Sequence, residues 1–147
     1  DGKVVASGGL LDVVSRVDVP VLSGRNAGVV LWATPVDHED GLTKFDFGDG
    51  KIWVAGKFEA SKTPLRLRIA ANDVSITRDR PTSTTILNIL RATVEEVHPV
   101  DTATALVRLE AGNQGLLARV TNRSVRRLGL KPGDRVFAQV KSVTVRH

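Results

Sequence analysis

The sequence predicts an all-β chain built of two small five-stranded barrels in tandem, with one short helix in the second. Three observations carry this. Val, Ile and Leu supply most of the apolar mass while aromatic residues make up only 4%, and a core rich in β-branched residues favours sheet. From Ala27 onward, short apolar runs recur at regular spacing between turn residues, the pattern of a small barrel of the oligonucleotide- and oligosaccharide-binding-like (OB-like) kind. The strand pattern then repeats after a polar break with a period of about 60 residues, the mark of a duplicated unit.

Residues 1–24 stand apart from this pattern. Asp1–Gly8 reads as a turn and a short strand, and Gly9–Val17 has apolar residues at 10, 13, 14 and 17, a helical spacing that Pro20 ends. The piece is too short to be a domain and reads as the end of something larger. The first unit is expected at 25–80, with strands at Val29–Thr34, Leu42–Phe47, Lys51–Val54, Leu65–Ala70 and Asp73–Thr77. Asp49-Gly50 is the expected turn of a hairpin in it. Asp79–Ser83 is the polar break. The second unit is expected at 84–147, with strands at Leu90–Val97, Thr104–Leu109, Gly115–Val120, Arg135–Val140 and Ser142–Val145. Between them, Thr121–Leu128 reads as a short helix with Thr121 as N-cap, stopped by Gly129 and Pro132-Gly133. Lys62–Ile76 lies over Lys131–Val145, so Asn72-Asp73 falls on Lys141-Ser142. Units this small bury little core alone and should pack on each other or on a second chain.

Composition bounds the function. With 41% hydrophobic and 25% charged residues, the 147-residue chain has the make-up of a folded domain or two. No apolar run approaches the ~20 residues that span a bilayer as a helix. Residues 1–24 lack the basic start, apolar stretch and small-residue site of a secretory leader. Cysteine is absent, which removes disulfides and thiolate metal sites and fits a reducing compartment. The histidines, at 38, 98 and 147, are dispersed. Asp37-His38-Glu39-Asp40 falls where a turn is expected and reads as an acidic turn rather than a metal site. There is no G-x-x-x-x-G-K-[ST] loop, G-x-S-x-G elbow or H-E-x-x-H. No catalytic residue is therefore assigned, and no cofactor or metal is expected. The net charge of +5 invites an anionic partner, with Arg123, Arg126 and Arg127 as the one tight basic cluster.

Three segments of the second unit offer what a tetrahedral oxyanion needs, short donors and a positive charge converging from different places. They are Thr84–Leu90, Val120–Ser124 and Ala138–Val143. The chemistry alone leaves a plainer reading open, in which Thr121 caps the helix, Lys141 is a solvated strand residue and the hydroxyls form turns.

The motifs Thr85-x-x-Asn88-x-Leu90, Val120-Thr121-x-x-Ser124, Leu128-Gly129-Leu130-Lys131-Pro132-Gly133 and Lys141-Ser142-Val143 occur in order at compatible spacing. In these the second unit resembles the molybdate-binding Mop domain, a member of the TOBE group of transport-associated OB-like domains. The resemblance runs from about Thr84 to Val145. It implies binding of molybdate or tungstate at interfaces between barrels, with Thr85, Thr121, Ser124, Lys141 and Ser142 as oxyanion contacts. Asn88 is expected to tie down backbone rather than touch ligand. Some family members carry arginine where this chain has Leu87, which removes one charge from the site. The first unit is similar only distantly. It has Asn72-Asp73 in place of Lys141-Ser142 and Ala55-Gly56-Lys57-Phe58 in place of the Thr-x-x-Ser start, so it is expected to be a scaffold without a site.

Residues 1–17 are similar to the tail of an ABC-type ATPase domain, in which a strand and a glycine-rich turn lead to a final helix. Together the resemblances imply the C-terminal regulatory part of a molybdate importer's ATP-binding subunit, itself no enzyme, at the cytoplasmic face of the membrane. The partners implied are a molybdate-type oxyanion, a second copy through the barrels, and the permease subunits through the ATPase domain. One alternative is a docking module that binds no ligand, favoured by Leu87. Another is an OB-like nucleic-acid module, which needs exposed stacking aromatics in a basic groove. Trp32, Trp53, Phe45, Phe47, Phe58 and Phe137 fall mostly on core-like positions, so no nucleic acid is expected.

Overall fold

The computed structural model describes residues 27–146, and the expected ATPase-domain tail at 1–24 lies outside them. Ten strands and one α-helix follow in order: β1 (Gly28–Glu39), β2 (Leu42–Phe47), β3 (Gly50–Ala55), β4 (Leu65–Ala70), β5 (Val74–Thr77), β6 (Asn88–Pro99), β7 (Thr104–Ala111), β8 (Gln114–Thr121), α1 (Asn122–Leu128), β9 (Arg135–Val140) and β10 (Thr144–Arg146). A 3-10 turn, Ala71–Asp73, separates β4 from β5. The strands form two antiparallel five-stranded sheets, ordered β10-β4-β1-β2-β3 and β5-β9-β6-β7-β8.

Each sheet takes one strand from the other half of the chain. β5, inside the stretch read as the first unit, pairs with β9, with Val74 opposite Val140 and Thr77 opposite Phe137. β10 pairs in return with β4, with Thr144 opposite Arg68. The stretches 25–80 and 84–147 therefore trade their last strands. The crossing is fixed where the two paths meet, by the Lys141 amide donating to the Asp73 carbonyl at 2.7 Å. The exchange explains why neither unit needs a large core of its own. Buried side chains from both sheets, among them Phe45, Leu31 and Ile69 of one and Leu109, Leu116 and Val136 of the other, form one continuous core. β8 packs against β1, β5 and the Ala71–Asp73 turn.

The duplication is visible in local detail. β1 and β6 are both 12 residues long, and each carries a bulge, between Pro35 and Asp37 and between Val94 and Glu96. Such bulges bend a strand so that a small sheet can curl. The hairpin turns differ from the sequence expectation in one place. Phe47 pairs with Gly50, so the β2–β3 turn is Gly48-Asp49, with Gly48 at φ +48°, rather than Asp49-Gly50. Asp-Gly is the turn of the preceding hairpin instead, with Asp40 and Gly41 both at positive φ. Only Asp40 of the 37–40 acidic group is thus in a turn. Asp37, His38 and Glu39 belong to β1 and alternate across it.

The β2–β3 tip meets the β7–β8 tip. The Asp49 amide donates to the Gly112 carbonyl at 3.0 Å, and Asn113 Nδ2 donates to Asp49 Oδ2 at 2.6 Å. The two halves touch again at Asn88, which is 7% exposed. Its Oδ1 accepts from the Trp53 amide at 2.7 Å, and its Nδ2 donates to the Trp53 carbonyl at 2.8 Å. The expectation that Asn88 ties down backbone is met, and the backbone belongs to the other sheet.

Candidate functional site

α1 begins where β8 ends. Thr121 is its N-cap, extended at φ −81° and ψ 151°, and its Oγ1 accepts from the Ser124 amide at 3.0 Å. The same hydroxyl donates to Ser124 Oγ at 2.9 Å. The Thr-x-x-Ser motif is therefore a closed local unit in which Ser124, not Thr121, keeps its hydroxyl proton for an outside acceptor. The Asn122 amide donates to the Ala103 carbonyl at 2.8 Å, so two N–H groups of the first turn are already bonded. This leaves the helix start fewer free N–H groups to offer an anion. The loop before β7 holds this corner in place. Asp101 Oδ1 accepts from the amides of Thr104 and Ala103, and the Asp101 carbonyl accepts from Asn122 Nδ2 at 2.9 Å. The Thr104 and Ala103 bonds keep the Asp101 carboxyl below the usual carboxylate range.

The other end of α1 is clamped from across the exchange. Gly129 adopts the left-handed conformation at φ 63°, and the Leu130 amide reaches the Val125 carbonyl at 3.0 Å. Arg78, just after β5, donates to the carbonyls of Leu128 and Gly129 and to Asp134 Oδ2. Burial pushes the Asp134 carboxyl up, but the Arg78 guanidinium and the Lys131 amide outweigh it and hold the group below its ordinary value. Arg123, Arg126 and Arg127 are exposed on α1, two of them in the last turn, where cations complement the helix dipole.

Lys141 and Ser142 lie at the strand crossing, between β9 and β10, and both are exposed. Ser142 Oγ donates to Asp73 Oδ2 at 2.9 Å. Asn72-Asp73 and Lys141-Ser142, equivalent in the repeat, thus face each other. Thr85 is exposed in the loop before β6. Among the described residues no hydrogen bond joins Thr85 to either pair, or Thr121 and Ser124 to Lys141 and Ser142. The chain thus brings together two local pairs, Thr121 with Ser124 and Lys141 with Ser142, and leaves the Thr85 hydroxyl apart. Leu87 is 61% exposed beside Asn88, so among the described residues the position where some family members carry arginine lies open.

Sequence reasoning missed two residues here. Asp73, read as part of a first unit without a site, stands beside Lys141 and Ser142 of the second. Arg119 lies two residues before Thr121 and so on the same face of β8, with Nε and Nη2 buried and without a hydrogen-bond partner. The period of two along β8 could have flagged it.

A groove of about 810 Å³ lies elsewhere, lined by Phe47, Lys51, Arg80, Arg91, Arg135 and Phe137 among others. None of the five site residues lines it. The Arg80 guanidinium sits over the Phe137 ring, 5.6 Å from its centroid. Phe45 and Phe47 are buried, while Trp32, at 44% exposure, is an aromatic outside the core.

Comparison with known proteins agrees with this picture. Residues 84–146 match the model of the TOBE domain. The chain is 44% identical to molybdenum import ATP-binding protein ModC 1 of Azotobacter vinelandii, over 98% of the chain and 41% of that protein. It is 40% identical to molybdenum import ATP-binding protein ModC of Pseudomonas aeruginosa, over 99% of the chain and 42% of that protein. The chain thus spans about two fifths of the length of these curated relatives. Its fold is similar to that of the cytoplasmic molybdate-binding protein ModG in a molybdate-bound crystal form, with a TM-score of 0.67 and 24% identity, over 84% of this chain and 96% of that one. Residues 84–146 are similar to TOBE domains, in a chain similar over nearly its whole length to molybdenum import ATP-binding proteins.

Proposed function

We propose that the chain is the cytoplasmic oxyanion-sensing part of the ATP-binding subunit of a molybdate importer. Molybdate, or the closely similar tungstate, is its ligand. The observation that carries this reading is the pairing of two half-sites in one unit. The capped Thr121–Ser124 corner keeps a hydroxyl proton on Ser124, and Lys141 sits at the crossing with no acidic partner on its Nζ among the described residues. Neither half-site alone surrounds a tetrahedral anion. Two chains brought together would let one chain's Thr85 face the other's Thr121, Ser124, Lys141 and Ser142, so the ligand site belongs to a homodimer through the barrels. An anion that binds one arrangement of two such chains favours that arrangement. This is how a domain with no chemistry of its own regulates the ATPase and, through it, the permease. The names borne by the relatives and by the structural neighbour support the choice of molybdate. ATP hydrolysis belongs to the remaining three fifths of the relatives' length.

The nucleic-acid alternative fits less well. Two rings line the basic groove, but Phe47 is buried and Arg80 covers the face of Phe137, while base stacking needs open rings. The docking-module alternative differs from the proposal only in binding no anion. Calorimetric titration of wild-type and Lys141→Ala chains with molybdate separates them. A charged hydrogen bond is worth roughly 1.5–3 kcal/mol, so the variant binds about tenfold more weakly or worse. Equal binding by both proteins removes Lys141 from the site.

A further inference from the structure

Ser142 has one hydroxyl proton, and Asp73 holds it. Ser142 Oγ donates to Asp73 Oδ2 at 2.9 Å, across 69 residues of sequence. A hydroxyl carries one donor and two acceptor lone pairs. While its proton points at Asp73, Ser142 offers the solvent only lone pairs, and an ionised oxyanion is repelled by them as it is by the carboxylate itself. The pair does not meet by the chance of two loose side chains. The Asp73 carbonyl accepts from the Lys141 amide at 2.7 Å, and the turn carrying Asp73 is anchored by the Ala71 amide on the Ala27 carbonyl at 2.8 Å. The main chain therefore sets Asp73 directly beside the Lys141–Ser142 corner.

We propose that Asp73 is a built-in competitor for the oxyanion. Its carboxylate takes the place of one ligand oxygen at Ser142, and a fully ionised tetrahedral anion must displace it before Ser142 can donate. This rests on the oxyanion reading of the site and adds its regulation. The competitor weakens binding, so the domain responds only when the anion is abundant. It also couples the ligand to the fold, because Asp73 and Ser142 flank the two paths by which the halves trade β5 and β10. Anion binding breaks the Asp73–Ser142 contact across that crossing and leaves the main-chain bond in place.

The test is a titration of four chains with molybdate: wild type, Asp73→Ala, Ser142→Ala and the double variant, with thermal melts as a check on folding. The Asp73 side chain bonds only Ser142 among the described residues, so its removal leaves the fold intact. Asp73→Ala binds about tenfold more tightly or better, the worth of one recovered charged hydrogen bond and a removed repulsion. Ser142→Ala alone loses its own contact with the anion and binds no more tightly than wild type, and in the Asp73→Ala background it removes most of the gain. If wild type binds and Asp73→Ala binds equally or less, the competitor is overturned while the oxyanion reading stands. A gain that Ser142→Ala leaves untouched overturns the transfer of the hydroxyl. If none of the four folded chains binds molybdate, both readings fall together.

Discussion

Replacing Asn88 with alanine lowers the free energy of unfolding by about 3 kcal/mol. β3 is an edge strand, and Trp53 faces Lys44 of β2 across its only ladder. The Trp53 N–H and C=O point away from that ladder, and the Asn88 amide satisfies both. One side chain thus does the work of a neighbouring strand, and it does so between the two sheets. Alanine leaves two main-chain groups without partners at a site where Asn88 is 7% exposed. A buried group left unpaired costs roughly 1–3 kcal/mol, and water reaching the half-buried Trp53 offsets part of it. Urea unfolding measures the loss. A change under about 1 kcal/mol, the range of ordinary surface substitutions, contradicts the bridging role.

Gly48→Ala has a comparable cost, about 3 kcal/mol, for a different reason. A left-handed φ of +48° alone strains alanine by roughly 1–2 kcal/mol. The rest is contact, since a Cβ at Gly48 would stand 1.9 Å from the Gly112 carbonyl oxygen. That oxygen accepts from the Asp49 amide, so relief of the clash pulls the two hairpin tips apart and breaks their bond. Gly41→Ala is the control. Gly41 has φ +79° and nothing within 4 Å of its Cβ position, so it carries the conformational strain without the clash. Chemical denaturation of both variants should find Gly48→Ala the worse by about 1–2 kcal/mol. Equal losses would mean that the tip-to-tip contact contributes nothing.

The strand pattern and the capped helix at 121–128 were legible because each is set by local rules: alternation, turn residues and a capping hydroxyl. The exchange of β5 and β10 was not. A strand of four residues and one of three carry too little pattern to choose between two equivalent sheet edges, and the repeat itself makes both edges suitable. The hairpin turn slipped by one residue for a similar reason. Gly48-Asp49 and Asp49-Gly50 are both acceptable turn pairs, and the choice is made by the Gly112 tip, 64 residues away. At the site, spacing revealed Thr121 with Ser124 and Lys141 with Ser142, since each pair is local. The partner of Ser142 depends on the crossing, so Asp73 entered the sequence argument at the wrong unit. Asn88 was understood in kind, as a backbone clasp, but its target in the other half could not be read from a single strand.

If the two half-sites close on a molybdate-type oxyanion, the wild-type chain binds molybdate in solution. Isothermal calorimetry with molybdate, set against sulfate as control, decides this. A saturable heat for molybdate at millimolar concentration or below is expected. A flat titration over that range contradicts it and leaves a docking module that binds no ligand.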